Sequence, residues 1–231
     1  MIRTKWLKIS TDLSVVTLGE ELSKRQIRRG ATVGFELSEV QKKSIRGRFI
    51  EEIVDNELVV DPFGQEIIHT ITRYAVFEFY IVATARRSFL MRVSNPPRSL
   101  KSFVSALGEA FGFGFSIDPI ELDILALTKY LRRATTARAC KIKKARVGAV
   151  RLSQSAIARI DVQSSEDAYG ELQNVFDLRN SFLERATIEL SAEGLNGQLE
   201  LSSTGLIACQ PDLLENLSPL LQNFFSGAPT D

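Results

Sequence analysis

Between Ala31 and Val93 the chain is dominated by segments that favour extended backbone: ATVGFEL, RGRFIEEIV, ELVVD, EIIHTITRYAVFEFYIV and SFLMRV. They are rich in β-branched and aromatic residues, which fit a pleated, half-buried surface. Turn chemistry punctuates them, at Asp55-Asn56 and again at Asp61-Pro62-Phe63-Gly64. Connections this short join antiparallel hairpins, whereas parallel crossovers need a dozen or more residues. Glu66 to Ala85 exceeds the usual length of a strand, so a bend or break is expected within it.

Helical patterns surround this β-rich stretch. After an opening strand at WLKIS (Trp6 to Ser10), TLGEELSKRQIRRG has capping-box spacing at Thr17 and Glu20 and a terminating Gly30. Its cations Lys24, Arg25, Arg28 and Arg29 gather at the C-terminal end, where the helix dipole favours them. SNPPRSLKSFVSALGEAFG puts Leu100, Phe103, Val104, Leu107 and Phe111 on one stripe and is stopped by Gly112 and Gly114. ILALTKYLRRA aligns Ile124, Leu127 and Leu131. The stretch from Ser164 to Arg185 is expected to be a long helix, with Ser164 as its cap and Asp167 in its first turn. TIELSAEGLNGQLEL predicts a hairpin turning at Asn196-Gly197. PDLLENLSPLLQNFF predicts a closing helix, with Pro211 in its first turn and Pro219 kinking or splitting it.

The order of these elements predicts an α+β fold in which helices pack on one face of antiparallel β-sheet. Two stretches echo each other: VFEFYIV and SFLMRV before Pro96-Pro97 and a helix, then TIELS and QLELS before Pro211 and a helix. This suggests two related ββα halves. The expected organisation is a β-rich N-terminal half (1–123), a basic connecting segment (124–160) and an acidic C-terminal half (161–231), with a single compact domain as the alternative.

Charge supports that division. The net charge is +1. Residues 124–160 hold 10 Lys and Arg with no acid, whereas residues 161–231 hold 12 Asp and Glu against two cations. A contrast of this size is informative about partners, though not about fold. The sharpest cluster comprises Arg132, Arg133, Arg138, Lys141, Lys143, Lys144, Arg146 and Arg151. Phosphate contact needs cations at a surface more than a fixed order of residues. The expected function is therefore non-enzymatic: nucleic-acid binding, to DNA or RNA, through backbone contacts from 129–151. Lys141 and Lys143 have one parity and Lys144 and Arg146 the other, so a regular strand cannot present all four on one face; a bulge or loop is expected there.

The alternatives are a scaffold subunit that uses its opposite charges to bind an acidic partner or another copy of itself, and a metal-dependent nuclease. Head-to-tail charge pairing builds rings or filaments. Leu217, Leu221, Phe224 and Phe225 of the last helix offer an apolar partner-binding stripe. The nuclease alternative rests on the carboxylates Asp118, Glu121 and Asp123 in SIDPIELD, but the lysine that such a centre wants shortly after its second acid is missing. No other catalytic, cofactor or metal motif stands out. His69 is the sole histidine and shares its parity with Ile67 and Ile71, as a sheet-face residue would. Cys140 and Cys209 have neither CxxC spacing nor a nearby histidine, and the cations around Cys140 are expected to lower its pKa. The N-terminus has no apolar h-region and YAVFEFYIVATA is too short to span a bilayer, so a cytoplasmic protein without a membrane partner is expected.

Overall fold

The structure is a computed structural model that describes residues 1–227. The elements of the first half, in chain order, are β1 (Ile2–Ser10), α1 (Val15–Lys24), β2 (Val33–Val40), β3 (Ser44–Val60), β4 (Glu66–Ala85), β5 (Ser88–Ser94), α2 (Lys101–Phe111) and β6 (Ser116–Pro119). They are followed by α3 (Ile124–Ala134), β7 (Ala139–Arg151), β8 (Ile157–Gln163), α4 (Ala168–Val175), β9 (Phe182–Ala192), β10 (Leu195–Ser202), β11 (Leu206–Cys209) and α5 (Pro211–Ser226). Every strand pair with a resolved register is antiparallel, and the class is α+β. The chain divides into two compact units, Lys8–Ile117 and Met1–Leu7 with Asp118–Asp231. The basic segment 124–160 falls within the unit of Met1–Leu7 and Asp118–Asp231. It forms α3, β7 and part of β8 inside the second unit. The expected pair of ββα halves gains no support from this element order.

In the Lys8–Ile117 unit, β2, β3, β4 and β5 form a meander in sequence order. Alternation places Ile45 and Phe49 of β3, Phe77, Phe79 and Ile81 of β4, and Met91 and Val93 of β5 on the buried face. Phe103 of α2 lies 5.1 Å from Phe49, 5.2 Å from Phe77 and 5.6 Å from Phe79, ring centre to ring centre. Phe35 completes this aromatic core, 6.2 Å from Phe103. The opposite face is polar: Arg46 and Arg92 flank the Tyr80 ring at 5.6 and 5.7 Å. Helix α1 starts earlier than its sequence suggests. Ser14 is the cap and accepts from the Thr17 amide at 3.1 Å, so Thr17 lies within the first turn.

Neither the turn expected at Asp55-Asn56 nor the break expected in β4 forms. β3 and β4 pair without interruption from Ser44↔Val82 to Val60↔Glu66. Within the ladder, Asn56 accepts from the Thr70 hydroxyl at 2.9 Å, and Asp55 pairs with Arg73. The chain reverses only at Asp61–Gln65. There the Asp61 carboxylate accepts from the amides of Phe63 and Gln65, each at 2.8 Å, and Gly64 adopts φ +84°.

In the other unit the strands run in the order β1-β11-β10-β9-β7-β8. Ile142, Ala145, Val147, Ile188, Leu190, Leu199 and Ile207 supply the buried face. Trp6 of β1 is fully buried 5.2 Å from Phe225 of α5, and Tyr130 of α3 lies 5.3 Å from Phe224. Helix α5 runs continuously through Pro219, anchored on both sides by the buried Leu217 and Leu221. The long helix expected from Ser164 is only Ala168–Val175. Asp167 is its cap, accepting from the amides of Tyr169 and Gly170 at 3.1 and 3.2 Å. Phe182 to Ala192 instead completes the sheet beside β7. The β9–β10 turn falls at Glu193-Gly194, not at Asn196-Gly197, and Gly194 has φ +71°. This register sets Ile188 against Leu199 and Ala186 against Leu201, burying all four.

Candidate binding surfaces

The basic residues of the sequence fall into three places. Arg132 and Arg133 are exposed in the last turn of α3, where the helix dipole stabilises them. Arg138 is exposed in the following loop, and Arg151 is exposed at the end of β7. Lys141, Lys143, Lys144 and Arg146 lie in the body of β7, and a bulge brings them together. Lys141 pairs with Glu189, Lys144 with Thr187 and Arg146 with Arg185, while Lys143 is the extra residue. The three partners alternate along β9, so Lys141, Lys144 and Arg146 share one face in spite of their mixed parity. Lys143 reaches the same side, 3.2 Å from the Glu189 carboxylate.

Much of this charge is balanced within the unit. Lys141 meets Glu166 at 2.5 Å. Arg146 grips Asp161 with two hydrogen bonds, at 2.7 and 3.1 Å. Neighbouring Arg159 meets Glu184 at 3.0 Å. The acids respond: hydrogen bonding from Arg146 holds Asp161 below its ordinary pKa, and hydrogen bonding from Lys141 does the same for Glu166. The basic and acidic stretches of the sequence thus meet in one molecule.

Part of the positive charge lines a cleft of about 670 Å³ on the open face of this sheet. Its lining includes the cations Arg3, Lys144, Arg146 and Arg185 and the acids Asp161 and Glu200. Arg3 and Arg185 lie outside the basic stretch of the sequence; sheet pairing sets Arg185 of β9 beside β7 and brings Arg3 of β1 to the same cleft. Arg146 and Arg185 are directly opposed across β7 and β9. Asp161, held by Arg146 and also stabilised as the carboxylate by Arg185, offsets part of the repulsion between them.

The other sequence candidates are not assembled into sites. Asp123 caps α3, accepting from the Ala126 amide at 2.9 Å. Neither it, Asp118 nor Glu121 belongs to any metal-holding group of three among the described residues. Leu217, Leu221 and Phe225 are core residues, and Phe224 packs on Tyr130, so the stripe on α5 faces its own unit. Burial raises the Cys140 pKa and outweighs the lowering by Arg132; its thiol contacts the Thr128 carbonyl at 3.7 Å. Burial also pushes Cys209 up to about 11. No helix is long and apolar enough to cross a membrane, among the described residues.

The most exposed apolar surface lies in the Lys8–Ile117 unit. β2 pairs with β3 only as far as Val33↔Glu51, and β5 pairs with β4 only as far as Glu78↔Ser94. Beyond these points β3 and β4 form a two-stranded arm whose residues are almost all exposed. Register puts Val54, Leu58, Val60, Ile68, Tyr74 and Val76 on one face, interleaved with Glu52, Glu66, Thr72 and the Asn56–Thr70 hydrogen bond. Ile68 is 68% and Tyr74 63% exposed, and Phe63 at the tip is 94% exposed. The other face interleaves Ile53, Val59, Ile67 and Ile71 with the Asp55–Arg73 ion pair, Glu57 and His69. Sequence periodicity concealed the arm, because each half reads as an ordinary core strand.

No protein-family model matches the chain, and no curated protein matches it. Among solved structures, the crystal structure of DynU16, a protein from the dynemicin biosynthetic locus, is matched over 97% of this chain and 94% of that one. The identity is 12% and the TM-score 0.17, a level at which no common fold or function follows.

Proposed function

We propose that the protein is a non-enzymatic assembly subunit whose β-arm docks against another protein chain. The supporting observation is the arm itself: a ribbon with six large apolar residues aligned on one face, all exposed. Large apolar side chains exposed in this number mark interaction sites, and a lone two-stranded ribbon is marginal in water unless something packs on it. The test compares two baits in extracts of the native source: the full chain, and a chain in which Asn-Gly joins Ile53 directly to Arg73, its cross-strand partner. A chain stoichiometrically retained by the first and lost from the second is the expected result. Retention that ignores the arm overturns the reading.

A second reading, nucleic-acid backbone contact through the open sheet face, is favoured by the opposed Arg146 and Arg185. A bound phosphate would share these cations with Asp161 and add counterion release. Lys143, Lys144 and Arg146 changed together to Glu should abolish retardation of DNA or RNA in a gel. Unchanged retardation overturns this reading.

A further inference from the structure

We propose that the open edge of β4, from Glu66 to Val76, pairs antiparallel with the same edge of a second copy of this chain, across a two-fold axis at Thr70. This rests on the docking role of the arm and names its partner. Along this stretch β4 is hydrogen-bonded to β3 on one side only, since β5 joins it from Glu78 onward. Unpaired edge strands are templates for another strand, and natural proteins blunt them with Pro, Lys, bulges or inward charges. EIIHTITRYAV has no Pro, Gly or Lys, and its ladder with β3 has no bulge. It is rich in β-branched residues, and its ionised groups are only Glu66 and Arg73, the latter paired with Asp55 of β3. High β-propensity with low net charge is the signature of a segment that pairs with itself.

Charge selects between the two edges of the arm. The free edge of β3 carries Asp55 and Glu57, with Asp61 just beyond it. A two-fold axis at any residue from Asp55 to Leu58 sets acid against acid, which opposes pairing. An axis at Thr70 on β4 sets Glu66 opposite Tyr74, Ile67 opposite Arg73, Ile68 opposite Thr72 and His69 opposite Ile71. No two ionised groups face one another; Thr70 meets Thr70 at the centre, and Ile68 of each copy lies beside Thr72 of the other. A two-fold contact is self-complementary and closes at the dimer. It does not depend on charge attraction, unlike head-to-tail pairing of basic and acidic surfaces.

Sedimentation velocity on the full chain from about 1 to about 100 µM tests this, because association is concentration-dependent. The expected result is a monomer–dimer equilibrium that survives high salt and disappears when Asn-Gly joins Ile53 to Arg73. Under mild oxidation Thr70→Cys should give a disulfide-linked dimer and Leu58→Cys should not. A chain monomeric throughout the range overturns the second copy as partner but leaves arm docking to the extract comparison, where a different chain would be retained. A dimer that persists in the shortened chain, or one that needs the arm but is not trapped by Thr70→Cys, overturns pairing through this edge.

Discussion

Leu58 and Ile68 face each other across β3 and β4, and both stand in solvent, 56% and 68% exposed. Two large aliphatic side chains at directly paired positions normally mark a sheet's buried face. Here the helices and neighbouring strands of the unit end before reaching them, and the pair lies near the tip of a projecting ribbon.

Replacing both by Thr keeps strand propensity and removes apolar surface already in water. Stability in urea should change by less than about 0.5 kcal/mol, as at surface positions generally. Binding of an apolar fluorescent dye should fall. A large loss of stability would mean that the arm is covered within the monomer.

Phe103 touches Phe35, Phe49, Phe77 and Phe79. Phe103→Ala should cost about 3–5 kcal/mol through lost burial and the cavity left behind. Urea denaturation of the full chain reads this directly.

Leu221 is fully exposed on the helical stripe only if α5 is read alone; in the fold it is completely buried. Leu221→Ala should therefore destabilise by about 2–5 kcal/mol. The oligomeric state of the folded fraction, measured by sedimentation, should not change.

The side chain of Arg179 hydrogen-bonds Asp177 and holds its pKa down to about 2, against an ordinary value near 4. A carboxylate depressed in the folded state stabilises above its unfolded pKa, and the contribution is lost as pH falls through the folded value. The melting-temperature advantage of the native chain over Asp177→Asn should thus be constant at neutral pH and vanish between about pH 4 and about pH 2. It should be small, because the pair is exposed and solvent-screened.

Arg185 opposes Arg146 with no intervening residue. Arg185→Gln should change stability by less than about 0.5 kcal/mol, because the repulsion it removes is offset by the lost attraction to Asp161. If the open sheet face binds nucleic acid, the same change should weaken binding and reduce the salt slope by about one. Fluorescence anisotropy across a salt series measures both parameters.

The helices whose local signals were cleanest were legible in the sequence: the stripe of Phe103, Leu107 and Phe111 produced α2, and Ile124, Leu127 and Leu131 produced α3. Cap and turn positions were less so. Ser14 and Thr17 both have hydroxyls able to cap, and tertiary packing of Val15, Leu18 and Leu22 selected Ser14. Asn196-Gly197 is a strong hairpin signal, but burying Ile188 against Leu199 required the turn at Glu193-Gly194. The stretch from Ser164 to Arg185 was misread because apolar residues at helical spacing also serve a loop and a bulged strand, and pairing with β7 decided between them.

By itself the sequence determined the class of the fold, the apolar stripes of α2 and α3, and a bulge in the basic strand, because periodicity and parity are local properties. Only the tertiary structure decided which charges meet and which apolar strands are left uncovered. Lys141 meets Glu166 and Arg146 meets Asp161 through strand and loop placement that no local pattern encodes. Leu58 and Ile68 look like core residues until the neighbouring strands are seen to end at Glu51 and Glu78. Exposure is a property of what packs alongside a segment, and that is fixed by distant parts of the chain.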